Sequence, residues 1–198
     1  DLNTTSQVDG DFMILQKLIN ESLQNNTNHI ILTRPYTYNE LDIVYNQTGC
    51  VNITKPFTID GGGWSIDAKG YCRIFNITSA DVTLERLTLV GGDAGGAHGF
   101  DHVDKGGAIY WSGANGNLIN STIANCTAAI GGGLYLNESA SDCRIESSGF
   151  FENTATGNGG AIDCNSPRMK LYNTTFGYNK GEYGAALCRE KGATSGHG

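Results

Sequence analysis

Basic residues are scarce in this 198-residue chain. Thirteen Lys and Arg stand against twenty Asp and Glu, a net charge of −7, and charged residues of every kind make up only 17%. A domain that grips phosphates needs the opposite balance, so nucleic acid is a poor partner. The acidic residues are scattered, without a block of like charge, and read as a solvated surface. No stretch approaches the run of about 18 apolar residues that a membrane-crossing helix needs. A basic-then-apolar leader is also lacking, so a secreted form would be one already processed. No Cys-x-x-Cys or Cys/His spacing occurs, which argues against a zinc site, and no cofactor is implied. Proline appears three times and glycine 28 times, together below the low-complexity range, so the glycines are expected at fixed structural places.

What is present is a repeat. Gly106-Gly107-Ala108-Ile109-Tyr110-Trp111 returns as Gly131-Gly132-Gly133-Leu134-Tyr135-Leu136, as Gly159-Gly160-Ala161-Ile162-Asp163-Cys164, and weakly as Tyr183-Gly184-Ala185-Ala186-Leu187-Cys188, at steps of 25, 28 and 24 residues. A second marker keeps pace: Ile123-Ala124-Asn125-Cys126, Phe150-Phe151-Glu152-Asn153, then Phe176-Gly177-Tyr178-Asn179. Upstream, Asn52-Ile53-Thr54 and Asn76-Ile77-Thr78 lie 24 apart. Short alternating segments such as Val82-Thr83-Leu84 and Lys170-Leu171-Tyr172 are bounded by turn residues, the pattern of brief strands. A unit this small cannot bury an apolar face alone and must stack on its neighbours.

The spacing therefore predicts an all-β chain, a parallel β-helix of about six to seven coils over residues 29–191. Equivalent residues of successive coils fall one strand spacing apart, about 4.8 Å. Ile109, Leu134, Ile162 and Ala186 then form one inward ladder, with Trp111, Leu136, Cys164 and Cys188 two places on. Leu84, Leu118, Ile145 and Leu171 form another, and Asn153 and Asn179 are expected to stack as a hydrogen-bonded ladder. Phe12, Leu15, Ile19 and Leu23 recur at helical steps, so residues 11–25 read as a helix started by Asp11 and capping the first coil. Residues 1–10 form a polar N-terminal segment, 93–105 a loop insertion between coils, and 192–198 a flexible tail that supplies no cap.

The order of motifs resembles a known group. Leu15-Gln16-Lys17-Leu18-Ile19, Tyr36-Thr37-Tyr38-Asn39, Phe57-Thr58-Ile59-Asp60-Gly61-Gly62-Gly63, Arg73-Ile74-Phe75-Asn76-Ile77-Thr78 and the Gly-Gly-Ala-Ile-Tyr-Trp segment follow one another as in the adhesin-like surface proteins of methanogenic archaea. The likeness covers residues 11–188. The Phe-x-x-Asn and Gly-Gly-Ala-Ile pairs are also similar to those of chlamydial polymorphic membrane proteins. The resemblance implies a right-handed parallel β-helix outside the cell, used for attachment or envelope structure, and implies no catalytic residues.

Ten Asn-x-Ser/Thr triplets begin at Asn3, Asn20, Asn25, Asn46, Asn52, Asn76, Asn120, Asn125, Asn137 and Asn173, the acceptor pattern for N-glycosylation of a secreted chain. The competing account is that Asn and Thr are favoured on the outer face of any repetitive sheet. Six cysteines fit disulfides in an oxidising setting, with buried thiols as the alternative. The ladder alignment pairs Cys164 with Cys188; Cys50 and Cys72 come next, and Cys126 with Cys143 follows by elimination. Asp93, His98, Asp101, His102 and Asp104 crowd the insertion as candidate ligands for a divalent metal, against a plain turn-rich loop. Tyr110 and Tyr135, one coil apart on the outward side, are a candidate sugar platform, against ordinary cross-strand packing.

These readings describe a non-enzymatic surface solenoid, adhesive or structural, whose partners are copies of itself, other surface proteins or cell-surface glycans. An uncovered last coil would template a neighbour, so head-to-tail growth into a filament is expected. The alternatives are an N-terminal glycan-binding module of a longer adhesin, or a β-helical polysaccharide lyase or hydrolase. Gly196-His197-Gly198 resembles one motif of polygalacturonases but lacks the acidic partners on earlier coils.

Overall fold

The computed structural model describes residues 9–45, 50–95 and 104–189. Short strands stack in parallel into three walls of six rungs each, with one additional two-stranded ladder. Wall 1 runs from His29–Ile31 through Thr58–Asp60, Thr83–Glu85, Asn117–Ile119 and Arg144–Glu146 to Lys170–Tyr172. Wall 2 runs from Tyr36–Thr37 through Ser65–Asp67, Thr88–Val90, Thr122–Ala124 and Gly149–Phe151 to Thr175–Gly177. Wall 3 runs from Val51–Ile53 through Phe75–Ile77, Ile109–Trp111, Leu134–Leu136 and Ile162–Cys164 to Leu187–Arg189. The chain visits the walls in the order 1, 2, 3 and returns to wall 1 one rung further on.

This is the expected β-solenoid, with about five full turns rather than six to seven coils. The residue-30 to residue-171 column of wall 1 advances by unequal steps, longest from Leu84 to Leu118, where the insertion lies. A fixed period overcounts coils that carry such excursions.

On walls 1 and 2 the central residue of each rung turns inward, whereas on wall 3 the first and third do, as in Ile109 and Trp111. Ile59, Leu84, Leu118 and Ile145 form the wall 1 ladder, and Ile66, Leu89, Ile123 and Phe150 that of wall 2, all at most 2% exposed. Phe150 stacks on Phe176 of the next rung at 5.5 Å. The corners between walls are made by single residues in the left-handed conformation. Arg86, Asn120, Ser147 and Asn173 turn the chain from wall 1 to wall 2 at φ between 46° and 52°. Asn125, Glu152 and Tyr178 do the same after wall 2. Asparagine tolerates this region better than most residues, which gives a structural reason for its frequency here.

Before wall 3 the corner residue is Gly106, Gly131, Gly159 and then Gly184, at φ 62–68°. The last of these corrects the expected ladder by one residue. Gly184, not Tyr183, occupies the corner, so Leu187 pairs with Ile162, Cys188 with Asp163 and Arg189 with Cys164. Ala186 and Cys188 are therefore not in the inward columns assigned to them. A Cβ at Gly159 would stand 2.3 Å from the Ile162 carbonyl oxygen, so this corner admits only glycine and sets the register.

The helix α1 spans Asp11–Gln24 and buries Phe12, Leu15 and Ile19 over the first rungs, as the periodicity predicts. Its N-terminus is not capped by Asp11. Asp42, 0% exposed, accepts hydrogen bonds from the Phe12 and Met13 amides at 3.3 and 3.0 Å and from the Asn39 amide at 3.1 Å. Asp11 instead accepts from the Thr37 amide and pairs with Arg34 at 2.8 Å. Asp42 belongs to a short second helix, α2, Glu40–Tyr45, which apolar periodicity does not reveal. Its signal is an Asn39 side chain accepting from the Leu41 amide, followed by acidic first-turn residues.

Candidate functional site

The inward columns are largely apolar, so the candidate side chains stand on the outer walls and at the corners. The outward column of wall 3 reads Asn52, Asn76, Tyr110, Tyr135, Asp163 and Cys188. Asn76 donates to the Asn52 side-chain oxygen at 3.0 Å, a ladder of amides one rung apart. Tyr110 and Tyr135 stack at 5.3 Å with 29° between their planes. Arg73 lies 5.4 Å from the centre of the Tyr110 ring and Lys105 4.6 Å from that of Tyr135. Asn137 donates to the Tyr110 hydroxyl, and Asn165 to that of Tyr135 at 3.0 Å. The two rings are thus brought together as the repeat implied, but Tyr135 is only 3% exposed. A sugar platform needs an open ring face, and Tyr135 does not offer one.

Arg73, 3% exposed, has no counterpart among the candidates that the sequence suggests. Its guanidinium donates to the carbonyls of Lys105 and Gly106 at 2.9–3.1 Å. It fastens the returning end of the insertion to wall 3 so that Gly106 reaches its corner. Lone arginines carry no sequence pattern that distinguishes this role from a surface charge.

Of the candidate metal ligands, Asp93 and Asp104 are described; His98, Asp101 and His102 lie outside the described residues. Asp93 accepts from the Gly95 amide at 2.9 Å, and Asp104 accepts from the Ala129 amide at 2.7 Å. Partial burial, assisted by the nearby Asp104 charge, raises the Asp93 carboxyl above its ordinary value, although the Gly95 amide opposes this. Both carboxylates shape turns. Among the described residues, no three His, Cys, Asp or Glu side chains converge.

Cys72, Cys126, Cys143 and Cys164 are buried thiols, while Cys50 and Cys188 are half-buried. Burial pushes Cys126 up to about 12 and Cys143 up to about 11. The register turns Cys188 into the column opposite to that of Cys164, which removes the alignment that paired them. Cys126 follows wall 2 and Cys143 precedes wall 1, so these two stand at different corners. Cys50 lies near enough to Cys72 for its charge to add to the effect of burial there.

The acceptor asparagines Asn20, Asn25, Asn52, Asn76, Asn120, Asn125, Asn137 and Asn173 are all exposed or half-buried; Asn3 and Asn46 lie outside the described residues. Ile53 and Ile77, central in their triplets, are 1% and 0% exposed, while Thr54 and Thr78 face solvent. No helix among the described residues is long and apolar enough to cross a membrane. No protein-family model, curated protein or solved structure matches the chain.

Proposed function

We propose that the protein is a non-enzymatic, extracellular cell-surface solenoid, adhesive or structural, that joins copies of itself head to tail. The observation that carries this reading is the separation of chemistries. The inward columns are mostly aliphatic or aromatic, while all eight described acceptor asparagines are exposed or half-buried, where glycans would not disturb the core. The resemblance to adhesin-like surface proteins points the same way.

The two ends of the solenoid support the assembly. Helix α1 covers the first rungs, burying its own Phe12, Leu15 and Ile19 against them. At the last rung the inward residues Leu171, Phe176 and Leu187 are only partly buried among the described residues, and Tyr172, Tyr178 and Tyr183 are exposed around them. Among the described residues no further strand covers this rung, and an apolar rung with open edges templates further strands. The carboxylates with buried or ordered partners serve the fold: Asp42 caps α1, Asp60 pairs with Arg86, and Asp142 pairs with Arg168 at 2.6 Å.

Intact-mass measurement and electron microscopy of native material test the reading together. Glycan mass above the bare polypeptide and end-to-end particles are the expected results. A bare mass on dispersed monomers would overturn it.

A further inference from the structure

Where wall 1 turns into wall 2, the surface holds a groove with an unusual floor. Along the outer face of wall 2 one column reads Ser65, Thr88, Thr122, Gly149 and Thr175; beside it run Asp67, Val90, Ala124, Phe151 and Gly177. Gly149 interrupts a row of hydroxyl side chains, and Phe151 faces outward between small neighbours. Neither Gly149 nor Gly177 has a positive φ, so no turn requires them. Glycine inside a strand weakens it and marks a close approach by something else. Here that something is the Phe151 ring. A Cβ on Gly149 would lie 2.4 Å from Cε2 of Phe151, and one on Gly177 would lie 2.9 Å from its Cδ1. The ring therefore lies down across the two glycines and remains partly exposed.

The groove beside it is lined by uncharged groups from three consecutive coils. Asn120, Ser147 and Asn173 form its corner column, and Thr122 and Thr175 flank the aromatic ring. Asn173 donates to the Ser147 hydroxyl at 3.3 Å, which ties two successive corners of the row together.

We propose that this groove binds a neutral saccharide, with one pyranose ring laid on Phe151. A pyranose has an apolar C–H face and a rim of hydroxyls. The aromatic floor suits the first, and neutral donors and acceptors at fixed places suit the second. The row repeats at the coil spacing of about 4.8 Å, close to the length of one residue in an extended glycan. No cationic side chain lines the groove to balance an acidic or sulfated sugar. Phe151 is partly exposed, whereas Tyr135 is covered. The proposal supplies the adhesive reading with a ligand class and rests on that reading for its biological setting alone.

Asn120 and Asn173 head acceptor triplets at the rim, so the pyranose could belong to the chain's own glycans or to a separate polysaccharide. The test begins with full-length protein made in a bacterial host that attaches no glycans. It is titrated calorimetrically with cello-oligosaccharide, a soluble mannan and a soluble galactan. At least one binds; Phe151→Ala weakens it tenfold or more, Phe151→Trp retains it, and Tyr110→Ala leaves it unchanged. Thermal unfolding of each variant confirms that the fold is kept. If glycosylated protein fails to bind while the bare protein binds, the chain's own glycan occupies the groove, and the pyranose site stands. If the bare protein binds none of the three, or Phe151→Ala binds as well as the unaltered chain, the proposal is overturned. Sugar binding by a protein that never assembles would sink the assembly and leave the groove; filaments without sugar binding would do the reverse.

Discussion

Asp42 shows how much one residue decides. Its carboxylate satisfies amides at the start of α1 from a position about thirty residues further along the chain. Truncation to Ala would strand buried donors, so Asp42→Ala should cost at least about 2 kcal/mol in denaturant unfolding. Burial outweighs these hydrogen bonds and raises the Asp42 carboxyl above its ordinary value. A raised carboxyl favours folding most in its protonated form, so its contribution declines as pH rises from the ordinary value through the raised one. Asp60 has the opposite sign, because the Arg86 guanidinium holds its carboxyl below the usual range. That contribution is present above the ordinary carboxylate value and is lost as pH falls through the lowered one. Arg86→Gln should therefore destabilise the protein at neutral pH, with the difference vanishing well below about pH 4. Unfolding curves across that range check both signs. The cysteines give a third residue-scale expectation. Burial raises Cys72, Cys126, Cys143 and Cys164, so native protein at neutral pH should leave these four unlabelled by an alkylating reagent. After unfolding without reductant, all four should label; a peptide joining Cys164 to Cys188 would refute the register argument.

At the scale of elements, corners rather than strands set the register. Three-residue strands hold little information of their own, and wall 3 is aligned by the glycine that must precede each rung. Gly159→Ala forces a side chain into a left-handed corner against the Ile162 carbonyl, and a cost of at least about 1–2 kcal/mol is expected from the conformation alone. The Asn ladder after wall 2 acts as a second alignment device. Asn153 is fully buried, donates to the Asn179 side chain at 3.0 Å and accepts from the Cys126 amide at 3.1 Å. This ladder and the wall 1 ladder were legible from spacing, since Leu118, Ile145 and Leu171, like Asn153 and Asn179, recur at steps of 26–27 residues that fit stacked coils. Leu84 joins the wall 1 ladder across the longer step of the insertion. The wall 3 step past Cys164 was not legible, because Tyr183 and Gly184 both fit a weak motif and only φ at the corner separates them.

For the whole molecule, the proposed assembly sets the helix-covered first rungs against a last rung whose inward residues are only partly buried among the described residues. Replacing Leu15, fully buried on the inner face of α1, by Asp should loosen the cap and expose the first rung. Aggregation, or a fall in the unfolding midpoint by several degrees in thermal scans, is the expected result. Placing a charge on the partly buried Phe176 at the opposite end should instead weaken end-to-end association while leaving the fold intact. Sedimentation velocity of the two variants distinguishes the outcomes.

Periodicity determined the solenoid, the helix over its first rungs and most inward columns, because each repeats along the chain with a constant local rule. A glycine corner before each of four wall 3 rungs, and inward apolar positions on every wall, recur from coil to coil. Tertiary structure alone decided what has no such recurrence. Asp42 reaches α1 across the fold, Arg73 pins the end of an insertion, and Tyr135 is covered while Phe151 is not. The Phe151 floor shows the boundary most clearly. Two glycines and an outward aromatic ring are unremarkable along the sequence, and they become a surface only when successive coils set them side by side.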